Sequence, residues 1–355
     1  MKLSENSKFL SIKYISSLLR ASGSKSQKIK ITDTYYSGLE SEKLQLKIFH
    51  SPKPLGRSVI LYPGASPLAE EHPSMIFLAS TLADIGFNVY LPRIPLLKKL
   101  DISENNVKWF DHAYKELLSM DEIKGTKVSC IGVSYGGAIL LKTSLSGYMQ
   151  QNRPHCLFTY GTIYDIPTSI DFLMTGKVNI KGKDVQIKPH EWGLVVGFHN
   201  FLSKVNVGYN TDDIQKVLSI RIKDQKEESF IEAEKLEGDS KVLALDILNG
   251  NISKEIKRII NIIEKEQIHL LDGISPKHWC KDIDLKVFIM HGANDNMVPY
   301  NQSTKLANGI SDSELFISYL YEHNEIAPKR SISHKLRELS RLVSFFEKFI
   351  RYHES

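Results

Sequence analysis

Cysteine is scarce in this chain, and the cofactor motifs with a known mechanism are missing. The 355 residues include three cysteines, Cys130, Cys156 and Cys280, which lie far apart and form no C-x-x-C pair. Neither a disulfide framework nor a zinc site is therefore expected, and a reducing compartment, the cytoplasm, fits best. No H-E-x-x-H, P-loop or G-x-G-x-x-G pattern occurs. The sequence accordingly implies no metal, nucleoside triphosphate or dinucleotide cofactor.

Excess positive charge is confined to one end of the chain. Residues 1–30 hold seven basic side chains and one acidic side chain, whereas the formal net charge of the whole chain is only +5. Recognition of nucleic acid would need a folded basic face with aromatic stacking positions, so no nucleic-acid partner is predicted. The sequence makes no prediction about the oligomeric state.

The N-terminal segment, residues 1–28, contains no long apolar run. Residues 4–20 have an apolar face at helical spacing, and Lys13, on the polar face, interrupts any continuous apolar run, which excludes a secretory h-region and a transmembrane segment. We predict a short amphipathic helix that packs on or near the core. An organelle transit peptide and weak contact with a membrane surface are the alternatives.

The most informative stretch is Gly132-Val133-Ser134-Tyr135-Gly136, a G-x-S-x-G sequence between an apolar run and a helical pattern. Strand, sharp turn and helix in this order predict a nucleophile elbow, in which the serine occupies a strained backbone position. Glycines two residues either side of Ser134 let the strand and the helix approach closely. The helix N-terminus then faces developing negative charge, and the Tyr135 N–H is a candidate oxyanion donor.

Two further motifs extend this pattern. The run Val59-Ile60-Leu61-Tyr62-Pro63-Gly64-Ala65 precedes the elbow, and Met290-His291-Gly292-Ala293-Asn294-Asp295 follows it, with His323 after the next strand-like run. With the elbow, these stretches resemble the α/β-hydrolase superfamily, over roughly residues 40–165 and 283–351. The resemblance implies a catalytic triad of Ser134, Asp295 and His323 in the family's chain order. It also implies a second oxyanion donor at the Ala65 N–H, although Pro63 stands where relatives often have histidine.

Strand and helix patterns alternate along most of the chain, and 42% of the residues are hydrophobic. This predicts an α/β fold, a doubly wound, mainly parallel sheet with helices on both faces and an antiparallel hairpin at its edge. The stretch between the sixth strand and the acid loop is too long for a structureless loop. We predict a hydrolase core at 29–164 and 283–355, with a helical cap inserted at 165–282.

The first predicted helix of the cap is unusually apolar. Trp192, Val196 and Phe198 form an apolar stripe on this helix, and we expect these side chains to line an acyl pocket. The alternative is that the apolar stripe only packs in the hydrophobic core. Two triad assignments have rivals. Asp165, after the sixth strand, is an alternative acid, and His334 competes with His323 for the base.

These residues predict a cofactor-free serine hydrolase with a small acyl substrate, which it cleaves at an ester or thioester through an acyl-enzyme. Acyl transfer and amide or peptide hydrolysis use the same triad and remain open. A hydrolase-fold protein that binds a ligand or partner without catalysis is an alternative of another class.

Overall fold

The structure, a computed structural model, describes residues 7–13, 15–16, 29–180, 182–319, 321–322, 325–326 and 332–354. Its centre is an eight-stranded sheet of order β1-β2-β4-β3-β5-β6-β9-β10. β2 pairs antiparallel with β1 and with β4, while every other neighbouring pair is parallel. The predicted fold class and the antiparallel edge hairpin are therefore confirmed.

The strands of this sheet and of two small hairpins have the following bounds: β1 Lys30–Ser37, β2 Lys43–His50, β3 Arg57–Tyr62, β4 Phe87–Pro92, β5 Lys127–Val133, β6 Leu157–Tyr160, β7 Lys177–Ile180, β8 Lys183–Gln186, β9 Val287–Gly292, β10 Ser313–Ser318, β11 Tyr321–Glu322 and β12 Glu325–Ile326.

Helices of the core cover both faces of the sheet. They are Pro73–Asp84, Pro95–Lys98, Asn106–Leu118, Tyr135–Thr143, Gly147–Gln151, Asn301–Gly309 and Ile332–Tyr352. Each parallel crossover places a helix against the sheet, because a strand can pair in parallel only after the chain has returned over one face.

The central strands are buried on both sides, which explains their continuous apolar runs. In β3, Ile60 and Tyr62 face one hydrophobic cluster, whereas Val59 and Leu61 face the other. This alternation follows from the two-residue period of a strand. Tyr62 stacks on Phe110 with ring centroids 4.2 Å apart.

The final helix covers the second cluster, as its spacing of apolar residues predicts. Phe349 packs edge-on against Phe288 of β9, with centroids 5.3 Å apart, and is completely buried. The C-terminus of this helix is held at the amino-terminal edge of the sheet. There Lys127 donates to the carbonyl of His353 at 3.2 Å, and the His155 ring contacts the carbonyl of Tyr352 at 2.8 Å.

The segment at 165–282 is mainly helical. Its helices are Ile166–Thr175, Trp192–Phe201, Asp212–Arg221, Lys226–Glu234, Gly238–Asn249, Lys254–Glu266 and Ile268–Gly273. No sequence pattern predicts the β7–β8 hairpin. Its two strands have four residues each, and apolar and polar residues show little alternation in them. The helical character of the segment is observed, while its function as a cap stays a prediction.

The N-terminal residues that the structure describes are helical at 7–13, and Leu10 and Ile15 are buried in the second cluster. Lys13 forms an ion pair of 3.1 Å with Asp84. This contact agrees with a helix that packs on the core. None of the described helices has the length and hydrophobicity that a membrane-spanning segment requires.

Candidate active site

Ser134 occupies the turn between β5 and the helix Tyr135–Thr143. Its backbone has φ 52° and ψ −127°, a conformation that residues other than glycine rarely adopt. The Ser134 N–H donates to the carbonyl of Tyr160 at 2.7 Å, and the Gly137 N–H donates to the carbonyl of Ser134 at 2.9 Å. Strain of this kind persists where surrounding contacts hold it, and such residues cluster at functional sites.

Glycine is required on both sides of the turn. A Cβ at Gly132 would lie 2.6 Å from the Cα of Gly137, and a Cβ at Gly136 would lie 2.1 Å from the carbonyl oxygen of Pro63. Both distances are far inside van der Waals contact, so these two positions admit no side chain. β5, the helix Tyr135–Thr143 and the loop after β3 can therefore approach this closely only because both positions are glycine.

The loop after β3 lies against the serine. A Cβ at Gly64 would come within 3.3 Å of the Ser134 Cβ and 3.9 Å of its Oγ. Ala65, the next residue, is half-buried beside the first cluster. The Tyr135 side chain is buried and donates its hydroxyl to the carbonyl of Ser103 at 2.9 Å. One candidate oxyanion donor, the Tyr135 N–H, thus belongs to the residue after Ser134. The other, the Ala65 N–H, belongs to the loop that packs against Ser134.

Asp295 lies in a loop that directly follows β9. Its Oδ1 accepts from the N–H groups of Met297 and Val298 at 2.8 and 2.9 Å, and its Oδ2 lies 3.5 Å from His291 Nε2. Burial, the largest effect, disfavours the carboxylate. The His291 imidazole and the two N–H groups outweigh it, and they lower the pKa of Asp295 below 3.8. An ionised carboxylate is the form that orients a catalytic imidazole.

His291 is completely buried and shapes the acid loop. Its Nε2 is 2.8 Å from the Val298 carbonyl, to which it donates, and its Nδ1 is 2.7 Å from Ser303 Oγ. Both ring nitrogens therefore have partners within the loop and the helix Asn301–Gly309. This arrangement agrees with the prediction that His291 supports the loop and does not react.

The strand order brings Ser134 and Asp295 to one edge of the sheet. They follow β5 and β9, and β6 lies between these strands. The Thr162 hydroxyl donates to the Ser134 carbonyl at 3.3 Å, while a Cβ at Gly161 would lie 3.6 Å from Asp295 Oδ2. The sequence motifs assign no role to Gly161 or Thr162. Their place directly after a buried strand is the signal that could have found them.

Asp165, the alternative acid, follows β6 and directly precedes the helix Ile166–Thr175. It is 3% exposed, its Oδ1 lies 3.6 Å from Lys277 Nζ, and its N–H donates to Gln302 Oε1 at 2.9 Å. The Ile166 N–H donates to Ser275 Oγ at 3.0 Å. The contacts of Asp165 and Ile166 join the start of the segment 165–282 to residues near its end. The choice between Asp295 and Asp165 as the acid stays a prediction.

His323, the predicted base, lies outside the described residues. On either side of it, β11 pairs with β12 through Tyr321 with Ile326 and Glu322 with Glu325. His334 belongs to the first turn of the final helix, and its side chain is outside the described part as well. The choice between these histidines, and the contact of Ser134 with its base, stay predictions.

The three predicted pocket residues lie on the helix Trp192–Phe201. Trp192 and Val196 are half-buried, whereas Phe198 is 1% exposed and belongs to the first core cluster. The Arg221 guanidinium lies 4.7 Å from the centre of the Trp192 ring. Just before this helix, the His190 N–H donates to the Asn296 carbonyl at 2.9 Å. The inserted segment therefore touches the loop that carries Asp295.

No metal cluster is evident in the part of the chain that the structure describes, since no three His, Cys, Asp or Glu side chains converge there. All three cysteines are free and buried.

No protein-family model and no curated protein matches this chain. Among solved structures, it is similar to a serine hydrolase from Cycloclasticus zankles, at 15% identity and TM-score 0.49, over 90% of this chain and 99% of the other. It is also similar to an esterase from Exiguobacterium antarcticum, at 15% identity and TM-score 0.43, over 89% and 100%. A proline iminopeptidase from Mycobacterium smegmatis is similar at 11% identity and TM-score 0.46, over 91% and 98%.

These distant likenesses assign no activity. The chain's own features are its eight-stranded, mainly parallel sheet and a serine at positive φ between β5 and the following helix. By these two features, the chain has the α/β-hydrolase fold.

Proposed function

We propose that this protein is a serine hydrolase that cleaves a carboxylic ester or thioester through an acyl-enzyme intermediate. The observation that carries the proposal is the backbone of Ser134, held at φ 52° at the N-terminus of a helix with Gly64 against its side chain. A strained serine so placed presents its hydroxyl above the sheet to a substrate carbonyl.

In the proposed reaction, Ser134 Oγ attacks the carbonyl carbon while the His323 imidazole takes the hydroxyl proton. Asp295 holds the imidazole in the required tautomer and stabilises its charged form. The tetrahedral oxyanion accepts from the N–H groups of Tyr135 and Ala65. Each such donor stabilises the transition state by roughly 3–4 kcal/mol, about 10²–10³ in rate.

Collapse of this intermediate breaks the bond to the alcohol or thiol, which leaves with the proton from the imidazolium. Water then attacks the acyl-enzyme by the same route, and Ser134 regains its proton as the acid is released. If an alcohol or amine replaces water in this second step, the product is a new ester or amide. Hydrolysis and acyl transfer therefore share every residue of the proposed site.

We further propose that residues 165–282 act as a cap over this site. The hydrogen bond from His190 to Asn296, within the acid loop, supports this position. Such a cover excludes water and supplies apolar walls, for which Trp192 and Val196 offer the partly exposed side chains of its helix.

Labelling with a fluorophosphonate probe tests the proposal, because only an activated serine reacts with it. The wild type should be labelled on Ser134 and should hydrolyse short acyl esters. Ser134→Ala should lose both, with kcat lower by about 10⁵ or more. Ser146→Ala is the matched control, since this serine is exposed and its side chain makes no capping hydrogen bond, and it should keep both. A wild type that is neither labelled nor active would favour a binding protein instead.

The base is tested in the same assay. His323→Ala should be nearly as damaging as Ser134→Ala, whereas His334→Ala should lower kcat less than about tenfold, because only His323 falls in the short connection between β10 and the final helix. A severe loss in His334→Ala alone would transfer the role of the base to that residue.

A further inference from the structure

The loop that carries Ala65 has little regular structure of its own. It connects β3 to the helix Pro73–Asp84 and contains one short 3-10 turn, Ala69–Glu71. Ala69 has φ 40°, in the left-handed region that a non-glycine residue adopts only where its surroundings hold it. Contacts outside the loop must therefore fix its course.

Glu70 provides such a contact. Its side chain is completely buried, and its Oε1 lies 2.5 Å from Arg93 Nε and 3.7 Å from Lys98 Nζ. Burying a carboxyl group is costly unless hydrogen bonds and a cation compensate for the lost water, and here two cations lie against it. Glu71, the next residue, contacts the same two cations but is 41% exposed, so water screens its pairs.

Arg93 is itself fixed to the sheet. It directly follows β4, and its N–H donates to the Gln45 carbonyl at 2.9 Å while its guanidinium donates to Gln45 Oε1 at 2.5 Å. The Tyr36 hydroxyl donates to the Arg93 carbonyl at 2.6 Å. A second link joins the loop after β3 to the helix Pro95–Lys98, since the Ser66 N–H donates to the Leu97 carbonyl at 3.2 Å.

We propose that Arg93, acting through Glu70, is a positioning residue that sets the place of the Ala65 N–H beside Ser134. The inference rests on the proposed serine hydrolase function. Gly64 is already in contact range of Ser134, so a small shift of this loop alters the distance from the Ala65 N–H to the oxyanion. Oxyanion donors are effective only when they are held within hydrogen-bond distance of where the charge develops.

The experiment compares Arg93→Lys and Glu70→Gln with Glu71→Gln as the matched control. Lysine keeps the charge of Arg93 but lacks its planar fork, and glutamine in place of Glu70 keeps the shape of the side chain without its charge. We would measure kcat and KM for a short ester, the inhibition constant of a boronic acid that forms a tetrahedral adduct on the serine, and the Tm of each variant.

Arg93→Lys and Glu70→Gln should each lower kcat by about 10- to 100-fold, with KM within about threefold of the wild type. Affinity for the boronic acid should fall by a similar factor, and the double variant should be no worse than either single one. Glu71→Gln should stay within about threefold in all three constants.

Two results would overturn the inference. A lower Tm with unchanged kcat and boronic acid affinity would make the pair purely structural, and a raised KM with unchanged kcat would move its effect to substrate binding. Both presuppose an active wild type, so the serine hydrolase proposal would survive them. An inactive, unlabelled wild type would instead remove the proposed function and the role of Arg93 with it.

Discussion

Gly64 lies against Ser134 so closely that a Cβ at position 64 would be 3.3 Å from the Ser134 Cβ and 3.2 Å from the Val133 carbonyl oxygen. Gly64 has no positive φ, so the absence of a side chain here reflects space and not backbone conformation. The loop after β3 is therefore packed directly against the nucleophile elbow.

Gly64→Ala should therefore lower activity more than stability. The added methyl displaces the loop by a few tenths of an ångström, and misplaced catalytic groups lose about 10- to 100-fold in kcat. We expect a change in Tm of only a few degrees. Steady-state kinetics and thermal unfolding check this, with the exposed Ser146→Ala as the control. A variant with normal kcat would show that the loop contributes no donor to the reaction.

Asp295→Asn should lower kcat by roughly 10³- to 10⁴-fold, since an amide cannot hold the imidazole in the required tautomer. The amide oxygen can still accept the N–H groups of Met297 and Val298, but these bonds are weaker without the negative charge, so the variant should lose some stability. The loss in kcat should remain smaller than that of His323→Ala.

Asp165→Asn is the matched comparison. Asp165 lies beside Lys277 and Gln302, and we expect its replacement to change kcat less than about tenfold. Measuring both variants with one ester decides between the acids. A severe loss in Asp165→Asn and a mild one in Asp295→Asn would place the acid after β6.

His353 should make folding sensitive to acid. Burial lowers the pKa of His353 from 6.5 to about 3, and nearby His155, Arg57 and Lys127 act in the same direction. Its Nδ1 donates to the Phe349 carbonyl at 2.8 Å, so its Nε2 accepts from Ser129 Oγ at 2.6 Å.

Between about pH 6.5 and pH 3 the unfolded chain binds a proton at this residue that the folded chain does not. The stabilisation is therefore complete above pH 6.5 and falls as the pH is lowered, by roughly 1.4 kcal/mol per pH unit in the free energy of unfolding. Urea unfolding at several pH values should show a shallower dependence for His353→Gln. The exposed His269→Gln should follow the wild type, and parallel curves for His353→Gln would refute the prediction.

The proposed cap predicts a dependence on acyl length. Each methylene buried against its apolar side chains should contribute up to ~0.8 kcal/mol, about fourfold in kcat/KM. Trp192→Ala and Val196→Ala should flatten this rise without lowering the rate for acetate esters. For Phe198→Ala we expect, in addition, a loss of about 3–5 kcal/mol in the free energy of unfolding, because its ring is 1% exposed.

A series of esters of graded chain length provides the measurement. Ile231→Ala is the control, since this side chain lies on another helix of the segment and is 59% exposed. Equal losses of kcat/KM for acetate and longer esters in the Trp192 and Val196 variants would show that these side chains only support the fold and do not bind the acyl chain.

Elements whose signals are local can be predicted from the amino-acid sequence alone. The elbow follows from glycines two residues either side of Ser134, because the close crossing of two backbones excludes a Cβ wherever it occurs. The parallel sheet follows from apolar strands that alternate with amphipathic helices, and the final helix from its spacing of three and four residues. The acid loop follows from a short motif in which Asp295 binds N–H groups only two and three positions away.

Contacts between side chains that are distant in the sequence become visible only in the folded structure. The pairing of Glu70 with Arg93, of Ser129 with His353, and of His190 with Asn296 joins residues that no local pattern relates. The position of Phe198 also depends on the tertiary structure. Its place in the apolar stripe fits the hydrophobic core and a substrate pocket equally well, since both surfaces are apolar. Burial and ion pairing depend on the sum of contacts from separate elements, and that sum exists only after the strands and helices have packed.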